Sequence, residues 1–229
     1  MLYTDFMRLI FVRHGDPNYE LDCLTELGHK QAEITAKRLM GEGIEEIFSS
    51  PMGRARQTAM PFSELSGIKN IQILDFMHEI RYGLENDLYN QDYSPWVAVD
   101  RMANENVDLQ NPDWRNFLIF KENTATIDID KVAAGADWWL SSLGYVREGL
   151  YYRNTRPDDF QHTFVLFSHG GSSTAFLSRV LNIPFPQLCA SLHIPHTGIT
   201  ILRFDRTPGK LSVPVVELMN DGNHLKGSL

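Results

Sequence analysis

The chain has 229 residues, 43% apolar and 22% charged, the balance of a globular protein long enough to bury its own core. Two cysteines, Cys23 and Cys189, exclude a disulfide framework or a cysteine-rich zinc ribbon. A net charge of −8 argues against binding along a nucleic-acid backbone. The first residues show no secretory signal and no apolar run approaches the roughly 18 residues of a membrane span, so a cytoplasmic protein without a membrane partner is expected.

Residues 7–12 (MRLIFV) form a short apolar run rich in β-formers and read as a buried strand. From 27 to 40, Leu27, Ile34, Ala36, Leu39 and Met40 fall on one helical stripe, with Thr25 as N-cap and Gly41 and Gly43 closing the helix. A strand follows at 44–49, a helix from Pro51 to about 65, with Pro in its first turn, and a short strand at 71–74. Residues 84–161 break the pattern: they hold all four tryptophans among scattered Asn, Asp and Pro, with one clear helix at 127–143. Order returns with a strand at 163–167, a helix at 172–181 stopped by Asn182 and Pro184, and strands at 198–204 and 213–219. This alternation predicts an α/β fold: a three-layer α/β/α sandwich on a mainly parallel sheet. It also predicts one domain over 1–229, with 84–161 inserted as a cap over the site.

Functional groups collect at the C-terminal ends of strands in such sheets. The first strand ends in Arg13-His14-Gly15 and the second in Ser49-Ser50-Pro51, followed by Arg54. The fourth ends in Ser168-His169-Gly170-Gly171, and Glu79 follows the third. Singly, each has a plainer reading: a hydrogen-bonding histidine, a solvated arginine, turn glycines. Together, two arginines, two histidines and a helix N-terminus describe a pocket for a dianion. An imidazole there attacks phosphorus when its reacting nitrogen is unprotonated, so its other N–H needs an acceptor, expected at a carbonyl near Gly15. Water then cleaves the phosphohistidine, and Glu79 is placed to protonate the leaving alkoxide.

These residues, together with Leu24-Thr25-Glu26-Leu27-Gly28, Gln31-Ala32 and Arg54-Ala55-Arg56-Gln57-Thr58-Ala59, resemble the histidine phosphatase superfamily, the phosphoglycerate mutase-like clan. The resemblance covers about residues 8–82 and 163–204. It implies a phosphoglycerate mutase-like fold, His14 as the nucleophile, Arg13, Arg54 and His169 as phosphate-binding residues, Gly170 as a backbone donor and Glu79 as proton donor. It implies no metal and no organic cofactor, and a small phosphorylated substrate as partner; a homodimer is left open. The pocket asparagine of close relatives has a near match in Asn18, shifted, while Glu20 holds its usual position. The mutase signature after the proton donor is altered to Glu79-Ile80-Arg81-Tyr82-Gly83.

The expected activity is therefore metal-independent, acid-type phosphomonoester hydrolysis. A mutase and a non-catalytic phosphate-binding protein are the alternatives. An α/β-hydrolase is disfavoured because no Gly-x-Ser-x-Gly elbow occurs. His193 and His196 read better as turn or core residues than as a metal pair. Trp138, Trp139, Tyr151 and Tyr152 read better as anchors of the insertion than as pocket walls. Solvated surface is the better reading for most of Arg81, Arg147, Arg153 and Arg156.

Overall fold

The computed structural model describes residues 6–157 and 162–227. Six strands build the central sheet: β1 (Phe6–Arg13), β2 (Glu46–Ser49), β3 (Ile71–Ile73), β4 (Thr163–Ser168), β5 (Ile199–Asp205) and β6 (Val215–Asp221). Their order is β6-β5-β1-β4-β2-β3. The pairs β1–β4, β4–β2 and β2–β3 are parallel, whereas β5 runs antiparallel to both β1 and β6.

Both faces of this sheet are covered, which is why its central strands read as continuous apolar runs. On β1, Ile10 and Val12 join a core with Ala36 and Leu39 of α1 (Glu26–Leu39) and Ala59 and Phe62 of α2 (Gly53–Ser66). Met7, Leu9 and Phe11 face the opposite way. They join a core that includes α4 (Thr124–Ser142) and α5 (Gly170–Leu181), which come after α3 (Pro95–Asn104) in the chain. Phe176 of α5 meets Phe11 edge-on at 4.9 Å; truncating such a ring to alanine costs about 3–5 kcal/mol. The fold is thus the three-layer, mainly parallel α/β sandwich that the alternation of elements predicts.

Two helix starts differ from expectation for the same reason: their caps come from elsewhere in the chain. The second helix begins at Gly53, after Pro51, because the Asp22 carboxylate accepts from Gly53 N–H at 2.6 Å. The helix after β4 begins at Gly170, so both glycines lie inside it, and the Glu79 carboxylate takes the N–H groups of Gly171 and Ser172 at 3.2 and 2.9 Å. Its end is as expected, with Asn182 in the left-handed conformation.

Residues 84–161 are more ordered than a loop-rich insertion. Beyond α3 and α4 they hold an antiparallel hairpin, Tyr145–Glu148 with Tyr151–Asn154, to which Leu211–Ser212 adds a third strand. Gly149, at φ +62°, opens its two-residue turn, a hairpin signal present in the sequence. The last four residues of the insertion, 158–161, lie outside the described residues.

The parallel strands matter for the site. Arg13 is in register with Ser168, and Phe167 with Ser49. The ladder continues one step further through His14 N–H to the Ser168 carbonyl and Ser50 N–H to the Phe167 carbonyl, both 2.9 Å. His14, Ser50 and His169 therefore leave the sheet side by side.

Candidate active site

The loop carrying His14 is held by backbone packing and by side chains of two helices. Gly15 N–H donates to Thr58 Oγ1 at 3.0 Å, and Asp16 N–H to Gln31 Oε1 at 2.7 Å. A Cβ at Gly28 would lie 2.2 Å from the Asp16 carbonyl oxygen, and one at Gly15 would lie 2.6 Å from the Gly28 oxygen. The glycines of the first two motifs are thus required by one close approach of backbone to backbone. Thr25 caps α1 as expected, accepting from Gly28 N–H at 3.1 Å.

His14 is 1% exposed. Its Nδ1 lies 2.7 Å from the Gly15 carbonyl. A carbonyl only accepts, so Nδ1 carries the proton and the lone pair of the neutral ring sits on Nε2. Burial, reinforced by Arg13, Arg54 and His196, pushes the imidazole down to about 3 against the opposing pull of the Gly15 bond. The ring is therefore neutral at pH 7, with an unprotonated Nε2.

His169 lies beside it, with ring centroids 5.1 Å apart. Its Nε2 meets Ser50 Oγ at 2.7 Å, while its buried Nδ1 has no hydrogen-bond partner. Burial and the neighbouring positive groups hold it well below the usual histidine range. Arg13 donates from Nη1 to the Ile194 carbonyl at 2.5 Å, and its buried Nε is unpaired. Arg54, only 4% exposed, binds Asp22 Oδ1 through Nη1 at 2.6 Å and likewise keeps a buried, unpaired Nε. A Cβ at Gly170 would lie 3.6 Å from Arg13 Nε, so the helix start and the guanidinium adjoin. Glu79 accepts from Gly171, Ser172 and its neighbour Ile80; those two helix amides serve the carboxylate.

Arg13, Arg54, Glu79 and Gly170 line a cavity of about 910 Å³. The sequence reading missed several of its other walls. Tyr19 lines it, its ring 6.4 Å from that of His14 and 5.3 Å from the Arg54 guanidinium carbon. Tyr82, just before the insertion, and Tyr89 and Trp96, at its start, also line it. Asn18 is placed differently from expectation: its side-chain oxygen accepts from the N–H groups of Glu20 and Leu21, both at 3.1 Å, closing its own loop. Neither Asn18 nor Glu20 lines the cavity; Tyr19 between them does. Asp22, the partner of Arg54, carried no signal separable from an ordinary turn acid.

Most of the remaining sequence candidates are elsewhere. Trp139 and Tyr152 are buried in the core, and Trp138 is 65% exposed, away from the cavity. Arg81 forks onto Asp128, Arg147 binds the Tyr152 hydroxyl and Arg153 pairs with Glu148. Arg156 reaches His162 at 3.0 Å. His193 lines the cavity, and the His196 ring lies 5.5 Å from that of His14. Among the described residues no group of three or more His, Cys, Asp and Glu is placed to hold a metal, and no helix is long and apolar enough to cross a membrane.

A family model described as the histidine phosphatase superfamily (branch 1) matches residues 9–112. A probable phosphoglycerate mutase of Serratia proteamaculans is 24% identical, over 96% of this chain and 95% of its own. Phosphoserine phosphatase 1 of Hydrogenobacter thermophilus is 31% identical over 40% of this chain, and the match spans 51% of that protein. Among solved structures, phosphoserine phosphatase of Entamoeba histolytica in complex with 3-phosphoglyceric acid superposes with a TM-score of 0.65 at 22% identity, covering 96% of this chain and 99% of that one. A mycobacterial glucosyl-3-phosphoglycerate phosphatase in complex with inorganic phosphate gives 0.63 at 22% identity, covering 95% and 99%. Residues 9–112 thus carry the sequence pattern of the histidine phosphatase superfamily (branch 1), with the motifs around His14, Arg54 and Glu79 inside that segment, and the whole chain has the fold of these solved phosphatases.

Proposed function

We propose that the protein is a phosphomonoesterase working through a phosphohistidine on His14. One observation carries this reading. Three buried nitrogens, Arg13 Nε, Arg54 Nε and His169 Nδ1, lack protein partners and surround an imidazole kept neutral with Nε2 unprotonated. Buried donors without acceptors are costly, and the oxygens of a phosphate dianion supply acceptors. In the tautomer this scheme uses, Ser50 Oγ donates to His169 Nε2 and the ring proton sits on Nδ1, free for an anion.

In the first step Nε2 of His14 bonds to phosphorus as the ester P–O bond breaks. The Gly15 carbonyl stabilises the charge that develops on the ring, and the leaving alkoxide takes its proton from the Glu79 carboxyl. Water then attacks phosphorus, its proton passes to the Glu79 carboxylate, the P–N bond breaks and phosphate leaves. Arg13 and Arg54 supply the positive charge that a metal ion provides in other phosphatases, so dialysis against EDTA leaves kcat unchanged. A loss restored by a divalent metal contradicts this part of the scheme.

The Serratia relative's name keeps a mutase in view as the second reading. Two experiments decide. His14→Ala loses at least ~10³-fold in kcat, and quenching the native enzyme in turnover traps an acid-labile, alkali-stable phosphoryl group; full activity in His14→Ala ends the scheme. Phosphate release from a panel of monoesters is then compared with primed conversion of 3- to 2-phosphoglycerate. Mutase turnover about tenfold above the best hydrolysis rate reverses the order of the two readings.

A further inference from the structure

The walls of the cavity beyond its phosphate-binding end speak to the other half of the substrate. Resting on the hydrolase reading above, we propose that this half is an uncharged alcohol bearing an aromatic ring, not a small carboxylate-bearing metabolite.

Size is the first argument. Cavities of about 300–1,000 Å³ hold drug-sized ligands, and this one, at about 910 Å³, far exceeds what a three-carbon phosphoester fills. The character of the walls is the second. Tyr19, Tyr82, Tyr89 and Trp96 face it together with Leu192 and Ile194. Tyr82 and Tyr89 stand edge to face at 5.5 Å, and Gln91 donates to the Tyr82 hydroxyl at 2.8 Å, fixing that ring. Tyr89 is 52% and Trp96 39% exposed, so a ligand ring has apolar surface to cover on both.

Charge is the third argument. Among the described lining residues, Arg13 and Arg54 are the only guanidinium or ammonium groups, and His193 adds one exposed imidazole. Both arginines belong to the phosphate end. Arg81, beside Tyr82 in the chain, is engaged elsewhere, forking onto Asp128 with both nitrogens at 2.8 Å, and Arg115 of the insertion pairs with Asp130 and lies 4.3 Å over the Trp114 ring. A substrate carboxylate entering this cavity is desolvated against tyrosines and tryptophan without a cation of its own, and with Glu79 nearby.

The test compares esters with matched alkyl leaving groups: 2-(1-naphthyl)ethyl phosphate, phosphoserine and 3-phosphoglycerate, each assayed for released phosphate with the whole enzyme. The expected kcat/KM for the naphthyl ester exceeds that of either carboxylate by roughly 10²-fold. In Trp96→Ala the ratio of naphthyl ester to phosphoserine falls by about tenfold or more. Gln91→Arg lowers the same ratio from the other side by raising phosphoserine turnover, and it serves if Trp96→Ala does not fold. Phosphoserine or 3-phosphoglycerate hydrolysed as well as the naphthyl ester overturns the inference and leaves the hydrolase reading standing. So does a ratio that moves in neither variant. No phosphate released from any of the three by a folded enzyme overturns the hydrolase reading, and this inference with it.

Discussion

At the scale of single residues, hydrogen bonding makes His14 and Glu79 what they are. The proposed role of His14 as nucleophile rests on the Gly15 carbonyl accepting from Nδ1–H and on burial keeping the ring neutral. Glu79 has two assignments that experiment separates: the cap of α5, set by its bonds to Gly171 and Ser172, and the proton donor. Proton donation matters for a poor alkoxide leaving group and little for nitrophenolate, which departs without help. Glu79→Gln therefore lowers kcat on an alkyl phosphate by about 10²–10⁴-fold while changing p-nitrophenyl phosphate turnover far less. Equal losses on both substrates assign Glu79 to the helix cap alone.

At the scale of elements, the site depends on how α1 and α2 clasp the loop after β1. Gln31 of α1 and Thr58 of α2 accept from consecutive backbone amides of that loop, Asp16 and Gly15. Gly28 lets α1 approach until its backbone touches that of Asp16. Gly28→Ala puts a methyl group 2.2 Å from a backbone oxygen, and neither partner is a flexible side-chain end. The expected loss is about 1–3 kcal/mol of stability, read by denaturant titration, and a drop in activity as the His14 loop shifts. A Gly28→Ala protein of native stability and activity disproves this account of the motif.

At the scale of the whole molecule, two buried and two half-buried neutral histidines set the acid side of the stability profile. His14 folds with its imidazole near 3, and His169, His196 and His224 are lowered as well, each chiefly by burial. Between the unfolded value of about 6.5 and the folded value, the unfolded chain binds more protons than the folded one, so stability rises with pH across this window. Tm is expected to fall as pH drops from about 6.5 towards 3. In His14→Asn the fall is shallower, because one proton-binding difference is gone. Parallel slopes in the two proteins show that His14 is not buried neutral. Glu42 and Asp128, held low by Arg38 with Arg8 and by Arg81 against the opposing effect of burial, act in the same direction. The variant comparison is what isolates the histidine.

The order of elements was legible in the sequence because hydrophobic periodicity and punctuation act locally. The run from Met7 to Val12, the Thr25 cap and the Asn182 stop each depend on near neighbours, and each appears where the pattern places it. The juxtaposition of the candidate site residues was legible because a parallel sheet gathers its strand ends on one edge, so Arg13, His14, Ser50 and His169 meet by register alone. What only the tertiary structure decided depends on approaches between distant segments. Asp22 reaches across to cap α2 and hold Arg54, and Glu79 caps α5; both moved the helix starts that local rules assign. The side chain of Asn18 turned to its own loop while Tyr19 faced the cavity, a choice between adjacent residues that no periodicity encodes. The cavity walls were illegible for the same reason. Trp96 and Trp139 are equally aromatic in the sequence, but packing buries Trp139 against Phe48 and Phe176 and leaves Trp96 facing the cavity. Composition specifies how much apolar surface must be covered; only the packed chain decides which of it stays open to a ligand.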